Sequence, residues 1–134
     1  MPDETRDPEK ERALLERLAK QQYCYVTTRG RVTGRLHKIE IWFALRGKTI
    51  YLLSGGGESS DWVKNMHKQP EVSVRIGRHR FSGKARFDVD EEEVHFARRA
   101  LAAKYQGWHE GRRLSNWAAT ALPVAIDLSV EGGT

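Results

Sequence analysis

The amino-acid sequence predicts a mainly β, α+β fold: a six-stranded antiparallel barrel with flanking helices. Three observations predict it. Six runs alternate apolar and polar residues with a period of two, the pattern of strands that bury one face. Glycine-rich turns join several of these runs directly, which makes a meander of hairpins. The chain has 134 residues, enough for one core and too few for two. Closing such a sheet into a barrel removes exposed edges, which matters in a small protein. Residues 1–22 are expected to carry an N-terminal helix and residues 23–134 the barrel, as a single domain overall.

The elements follow in order. A first helix starts at Pro8 with Asp7 as N-cap and Glu9 and Glu11 at its positive end. Leu14, Leu15, Leu18 and Ala19 give it one apolar face. Tyr23 to Thr28 reads as a strand, and RGRVTGR, with Gly30 and Gly34, as a hairpin connection. The next strand points Ile39, Ile41, Phe43 and Leu45 one way and Lys38, Glu40, Trp42 and Ala44 the other. Gly47 turns the chain into a strand from Lys48 to Ser54. A loop and a short helix lead to Val72, Val74 and Ile76 on one strand face. Gly77 and Arg78 turn into a long strand whose Phe81, Gly83, Ala85, Phe87 and Val89 alternate with Arg80, Ser82, Lys84, Arg86 and Asp88. Asp90 and Glu93 have capping-box spacing, and Val94, Ala97, Leu101 and Tyr105 recur at helical intervals after them. A further helix is expected over Arg112 to Ala119. Pro123 opens a last strand with Val124, Ile126, Leu128 and Val130 on one face.

Composition excludes several classes. Hydrophobic residues are 39% and charged residues 31%, an ordinary soluble mixture. Apolar runs reach only five or six residues, as at Ile41 to Leu45; a membrane span needs about 20. The start, MPDETRDPEKERALLERL, mixes both charge signs and lacks the apolar run of a secretory signal. The single cysteine, Cys24, allows neither an intrachain disulfide nor a cysteine metal site, so a cytoplasmic location is expected. His37, His67, His79, His95 and His109 share no metal-type spacing, and no metal is expected. The net charge of +5 is uneven: residues 23–87 hold thirteen Lys or Arg against four Asp or Glu, a net of +9. Such a concentration suits an anionic partner, or is simply a solvated basic face.

Three stretches carry candidate chemistry. Ser54-Gly55-Gly56-Gly57 leaves a strand and enters a helix whose N-cap is expected at Ser59 or Ser60. Glycine amides before a helix N-terminus can cradle an anion, and two hydroxyls would add donors; a flexible tip is the plain alternative. Thr28 to Lys38 places Arg29, Arg31, Arg35, Lys38 and His37 on one hairpin, where guanidinium forks suit phosphate or carboxylate; charged hairpins are also common without a ligand. Tyr105, Trp108 and Trp117, with Trp42 and Trp62, supply aromatic surface. Trp42 stands on the polar face of its strand, where it either closes a pocket or, more commonly, packs under a helix. No nucleophile–base pair, GxSxG, HExxH or Walker loop is present, so catalysis would rest on a bound organic cofactor.

The order of these segments resembles the deazaflavin-dependent nitroreductase family, within the flavin-binding split β-barrel superfamily that includes pyridoxamine phosphate oxidases. VTTRGRVTG, IEIWFALRGKTIYLLSGGG, DWVKNMHKQPEVSVRIG and LPVAIDL carry it, from about Val26 to Leu128. Gly30-Arg31-Val32-Thr33-Gly34 stands for the family's T-T-G-R-K-S/T-G, Ser54 to Gly57 for S-x-G-G, and Trp62, Asn65 and Pro70 to Val74 for W-x-x-N and N-P-x-V-x-V. The family lysine is Val32 here, and the usual R-x-x-P-L reads His37-Lys38-Ile39-Glu40-Ile41.

The resemblance implies a six-stranded split β-barrel that binds the deazaflavin F420, with FMN as the alternative cofactor. Its anionic tail would meet Arg31 and Thr33, with Arg29 or Arg35 nearby. Its phosphate would meet Gly55, Gly56, Gly57, Ser59 and Ser60, and its ring the strand carrying His37, Ile39, Glu40 and Trp42. Gly34, Ser54, Asp61 and Trp62 complete the implied cofactor-binding set. Tyr105 and Trp108 would lie over the substrate, with Tyr105 as the catalytic residue able to donate a proton. The implied activity is hydride transfer to a small electron-poor acceptor, a quinone, nitroaromatic or enone. The alternatives are an FMN-dependent reductase or oxidase and a noncatalytic flavin- or deazaflavin-binding protein. A homodimer is compatible with the superfamily. Nucleic acid is not expected as a partner, because the cations of Arg80, Lys84 and Arg86 have no exposed aromatic residues between them.

Overall fold

The computed structural model describes residues 7–129. Helix α1 (Pro8–Leu18) starts where the Asp7 side chain accepts from the Glu9 amide at 2.9 Å, and it buries Leu15 and Leu18. Strands β1 (Cys24–Arg29), β2 (Leu36–Ile41), β3 (Ala44–Arg46) and β4 (Thr49–Ser54) follow. A 3-10 turn (Gly57–Ser59) leads into α2 (Asp61–Lys68), then β5 (Glu71–Ile76) and β6 (His79–Arg86). Helix α3 (Glu91–Gln106), the short α4 (Asn116–Thr120) and β7 (Leu122–Ser129) complete the described residues. The strands form one antiparallel sheet in the order β2-β1-β5-β6-β7-β4-β3.

The sheet has seven strands rather than six, because the run expected to reach Leu45 divides at Trp42 and Phe43. The reason is topological. β2 pairs with β1 at one edge of the sheet, and β3 pairs with β4 at the other. Two residues connect them, and three Cα steps span at most about 11 Å. The sheet must therefore curl until the end of β2 lies within that distance of the start of β3, which makes the split barrel. The predicted alternation of faces survives the break. Ile39, Ile41, Phe43 and Leu45 face the barrel interior, while Trp42 and Ala44 face an outer layer.

That outer layer is the second departure. The sequence reads as a sheet with one polar face, yet β4 is buried on both. Val26, Phe43, Ile50, Leu52, Val63, Met66 and Ile126 fill the interior. Tyr51, Leu53 and Ala125 point outward and pack under Ala97 and Leu101 of α3. Helix α3 is held there by its ends and by charge. Asp90 and Glu93 form the expected capping box, and Gly107 closes the C-terminus at φ +69°. Arg86 makes 2.7 Å bonds to both Glu93 and Asp127, and the Tyr51 hydroxyl donates to Glu93 at 2.6 Å. Arg86, with Tyr51, holds the Glu93 carboxyl down at about 2. Helix α4 begins at Asn116, four residues later than Arg112. Arg112 is taken up in a turn, its amide donating to the His109 carbonyl while its own carbonyl accepts from Trp108 Nε1 at 2.7 Å. Val130 lies outside the described residues.

Candidate functional site

The β1–β2 loop and α2 enclose a cavity of about 630 Å³. Arg31, Thr33, His37, Ile39, Asp61 and Trp62 of the expected cofactor set all line it. Arg31 is fixed by two residues of α2. Its backbone amide and its Nη1 both donate to Asn65 Oδ1, at 3.1 and 2.8 Å, and its Nη2 donates to Asp61 Oδ1 at 3.1 Å. Asn65 in turn donates through Nδ2 to Thr28 Oγ1 at 3.1 Å. Gly34, at φ +78°, lets the loop turn back, and its carbonyl accepts from Arg29 Nη1 at 2.8 Å. The Gly30 and Gly34 turn thus presents Arg31, but neither Arg29 nor Arg35, to a cavity that Lys38 also lines. A guanidinium, an ammonium and a threonine hydroxyl beside Ile39 and Trp62 suit a molecule with an anionic part and an apolar part.

Thr28, Ser54 and Asn65 are the buried polar residues among the described residues, at 1, 2 and 3% exposure. Burying a polar side chain is unfavourable unless it is hydrogen-bonded. Two of the three brace Arg31, and the third braces the glycine bend. Ser54 Oγ donates to the Gly57 carbonyl at 3.0 Å and lies 2.8 Å from Ser60 Oγ. Sequence reading singles out Ser54 but not Thr28 or Asn65 as site residues. The available signal is an amide on the buried face of a helix, between Val63 and Met66.

The triple glycine has local reasons of its own. A Cβ on Gly55 would stand 3.4 Å from Trp117, and one on Gly56 only 2.6 Å from Ser60 Oγ. Gly57 sits at φ +62°. Ser60 is the N-cap residue of α2 by position, but its hydroxyl is turned to Ser54 instead of capping. The Ser59 and Ser60 amides close on the carbonyls of Gly56 and Gly57. Gly55, Gly56 and Ser59 are solvent-exposed. The bend precedes α2, whereas Arg31 meets α2 at Asp61 and Asn65; none of the three glycines lines the Arg31 cavity.

A second cavity, about 440 Å³, lies further along β2. Glu40, Ile41 and Trp42 line it together with Tyr23, Leu53, Gln106 and Trp117. Its wall is aromatic. Trp42 stacks on Tyr105 with centroids 4.3 Å apart and planes 3° from parallel, and meets Trp117 edge-on at 5.6 Å. Tyr105 stands behind Trp42. Its hydroxyl is bonded to Gln22 O (3.0 Å), Phe43 O (3.2 Å) and the Phe43 amide (3.1 Å), and burial pushes it up to about 12. Lys104 adds donations to Ala19 O and Phe43 O at 2.9 and 3.1 Å, and burial pulls it down to about 8. The end of α3 thereby clamps the β2–β3 crossing. Trp108 lines neither cavity and is tied to Arg112. Glu40 faces outward, where its carboxylate accepts from Tyr25 Oη at 2.8 Å.

Among the described residues no helix is long and apolar enough to cross a membrane, and no three His, Cys, Asp or Glu side chains are grouped to hold a metal ion. A sequence profile of the family described as F420H(2)-dependent quinone reductase matches residues 5–128. No curated protein matches the chain. Among solved structures, an F420 reductase is similar with a TM-score of 0.60 at 14% identity, covering 96% of this chain and 96% of its own. An F420-H2 dependent reductase (FDR-A) is similar with a TM-score of 0.58 at 20% identity, covering 81% of this chain and 94% of its own. A candidate pyridoxamine 5'-phosphate oxidase from Listeria innocua gives 0.63 at 22% identity, covering 92% of this chain and 94% of its own.

Proposed function

The chain belongs to the F420H(2)-dependent quinone reductase family, and on that premise we propose that it passes a hydride from reduced F420 to a small electron-poor acceptor. A quinone is the first acceptor to test; a nitroaromatic or an enone would react by the same chemistry. The observation that supports this reading best is Arg31, braced by Asn65 and aimed at a cavity that shares β2 with an aromatic-walled one.

The donor set fits an elongated anionic cofactor. Arg31, Thr33 and Lys38 would hold its charged end, and Ile39, Trp62 and the start of α2 would flank its middle. The exposed peptide groups at Gly55 and Gly56 are a further place for its phosphate. When bound, reduced F420 supplies the hydride. The chain's own work is placement. Trp42, Trp117 and Leu53 would form a dry wall that holds a flat acceptor against the ring and keeps water off one face. Tyr105 acts in this proposal through Trp42: its hydroxyl is committed to backbone and its raised pKa makes it a poor acid. The proton that completes reduction of a quinone then comes from solvent at the open mouth of this cavity.

Titration with F420 and with FMN, followed by tryptophan fluorescence, tests the reading. F420 is expected to bind more tightly than FMN, and reduced F420 to turn over anaerobically with a soluble quinone. Binding of neither cofactor at tens of micromolar would remove the proposal. Tight FMN binding without F420 binding would replace it with a flavin-dependent reductase.

A further inference from the structure

Arg31 is held by two residues of very different standing. Asn65 is 3% exposed, and its Oδ1 takes both the Arg31 amide and Nη1. Releasing the Arg31 side chain would break the 2.8 Å bond from its charged Nη1, worth about 1.5–3 kcal/mol, although the Arg31 amide would still pair that oxygen. The Asp61 side chain is 86% exposed and accepts a single 3.1 Å bond from Nη2. An exposed ion pair of this kind contributes only about 0.2–1 kcal/mol. The weaker partner is therefore the one a competing anion displaces. Asp61 also lines the same cavity as Arg31, so its carboxylate stands where an incoming anion would arrive.

We propose that Asp61 is an affinity-setting placeholder: it occupies the outward edge of the Arg31 guanidinium until the anionic end of the cofactor replaces it, while Asn65 keeps Arg31 in position throughout. This inference rests on the proposed F420 site and names what limits its affinity. A carboxylate on the guanidinium lowers affinity only for a ligand that must take its place there, so Asp61 sets the affinity for the anionic end and leaves binding of the ring alone untouched.

The test is a double-mutant cycle at 0.15 M salt, where charges beyond about 8 Å are screened. Kd is measured for F420 and for the same deazaflavin ring on a ribityl chain without phosphate or tail. The proteins are the wild type, Asp61→Asn, Arg31→Gln and the double variant. Asp61→Asn is expected to tighten F420 binding about two- to fivefold, the equivalent of the lost ion pair. The tailless compound should bind unchanged, and the gain should vanish in the Arg31→Gln background. Weaker or unchanged F420 binding by Asp61→Asn overturns the inference. So does an equal gain in both backgrounds, or an equal gain for the tailless compound. In those cases F420 still binds the wild type and the reading of the site stands; failure of the wild type to bind F420 at all brings down both.

Discussion

At the scale of residues, what matters is which polar atoms are already committed. Tyr105 illustrates this. Its stacking on Trp42, in the wall proposed for the acceptor, suggests a proton donor, but three backbone partners hold its hydroxyl. Tyr105→Phe is expected to leave kcat within about threefold of the wild type while lowering stability by about 1–2 kcal/mol. Trp42→Ala removes the wall itself and should lower kcat/KM more than about tenfold. Steady-state kinetics of the pair separates prop from acid: a hundredfold loss of kcat in Tyr105→Phe would restore the catalytic role. Glu93 gives the second prediction. Its carboxyl, ordinarily at 4.5, titrates at about 2 because Arg86 and then Tyr51 favour its charged form. A depressed native pKa contributes stability that is whole above about 4.5 and is lost as pH falls through about 2. Glu93→Gln should therefore cost about 1.5–3 kcal/mol at pH 7 and flatten the urea-denaturation profile between pH 5 and 2. Local rules make the caps at Asp7 and Asp90 readable, because donor and acceptor lie within three residues. Asn65 is not readable as a brace, because its partner Arg31 is 34 positions away and only the fold joins them.

At the scale of elements, strand faces are legible in the sequence and strand limits are not. The alternation from Ile39 to Leu45 runs unbroken through two separate strands, so periodicity alone cannot reveal the change of partner at Trp42–Phe43. The burial of β4 on both faces follows from α3 lying over it, again a fact of assembly. Glycine in a strand is another case. Gly83, in the middle of β6, faces Leu128 of β7, and a Cβ there would stand 2.6 Å from Ile126 Cγ2. Gly to Ala in an ordinary strand would gain about 0.5–1 kcal/mol from backbone entropy. Overpacking against a close neighbour costs about 1–3 kcal/mol, so overpacking wins. Gly83→Ala should shift the urea midpoint downward, whereas an upward shift would mean that β6 and β7 leave room for a methyl group.

At the scale of the whole molecule, six alternating runs and few helices are enough to foresee the barrel, whereas the net charge of +9 over residues 23–87 suits an anionic ligand and a solvated basic face alike. The path by which the barrel closes is not foreseeable, and it bears on function. The seam between the two ends of the sheet is a single dipeptide, and one member of that dipeptide, Trp42, also lines the cavity proposed for the acceptor. Breathing of the seam and loosening of the reaction chamber are then one motion. A flat aromatic inhibitor lodged against Trp42 should slow amide hydrogen exchange in β2 and β3 together, although five strands lie between them in the sheet. Protection confined to β2 would show that the chamber opens without unzipping the barrel.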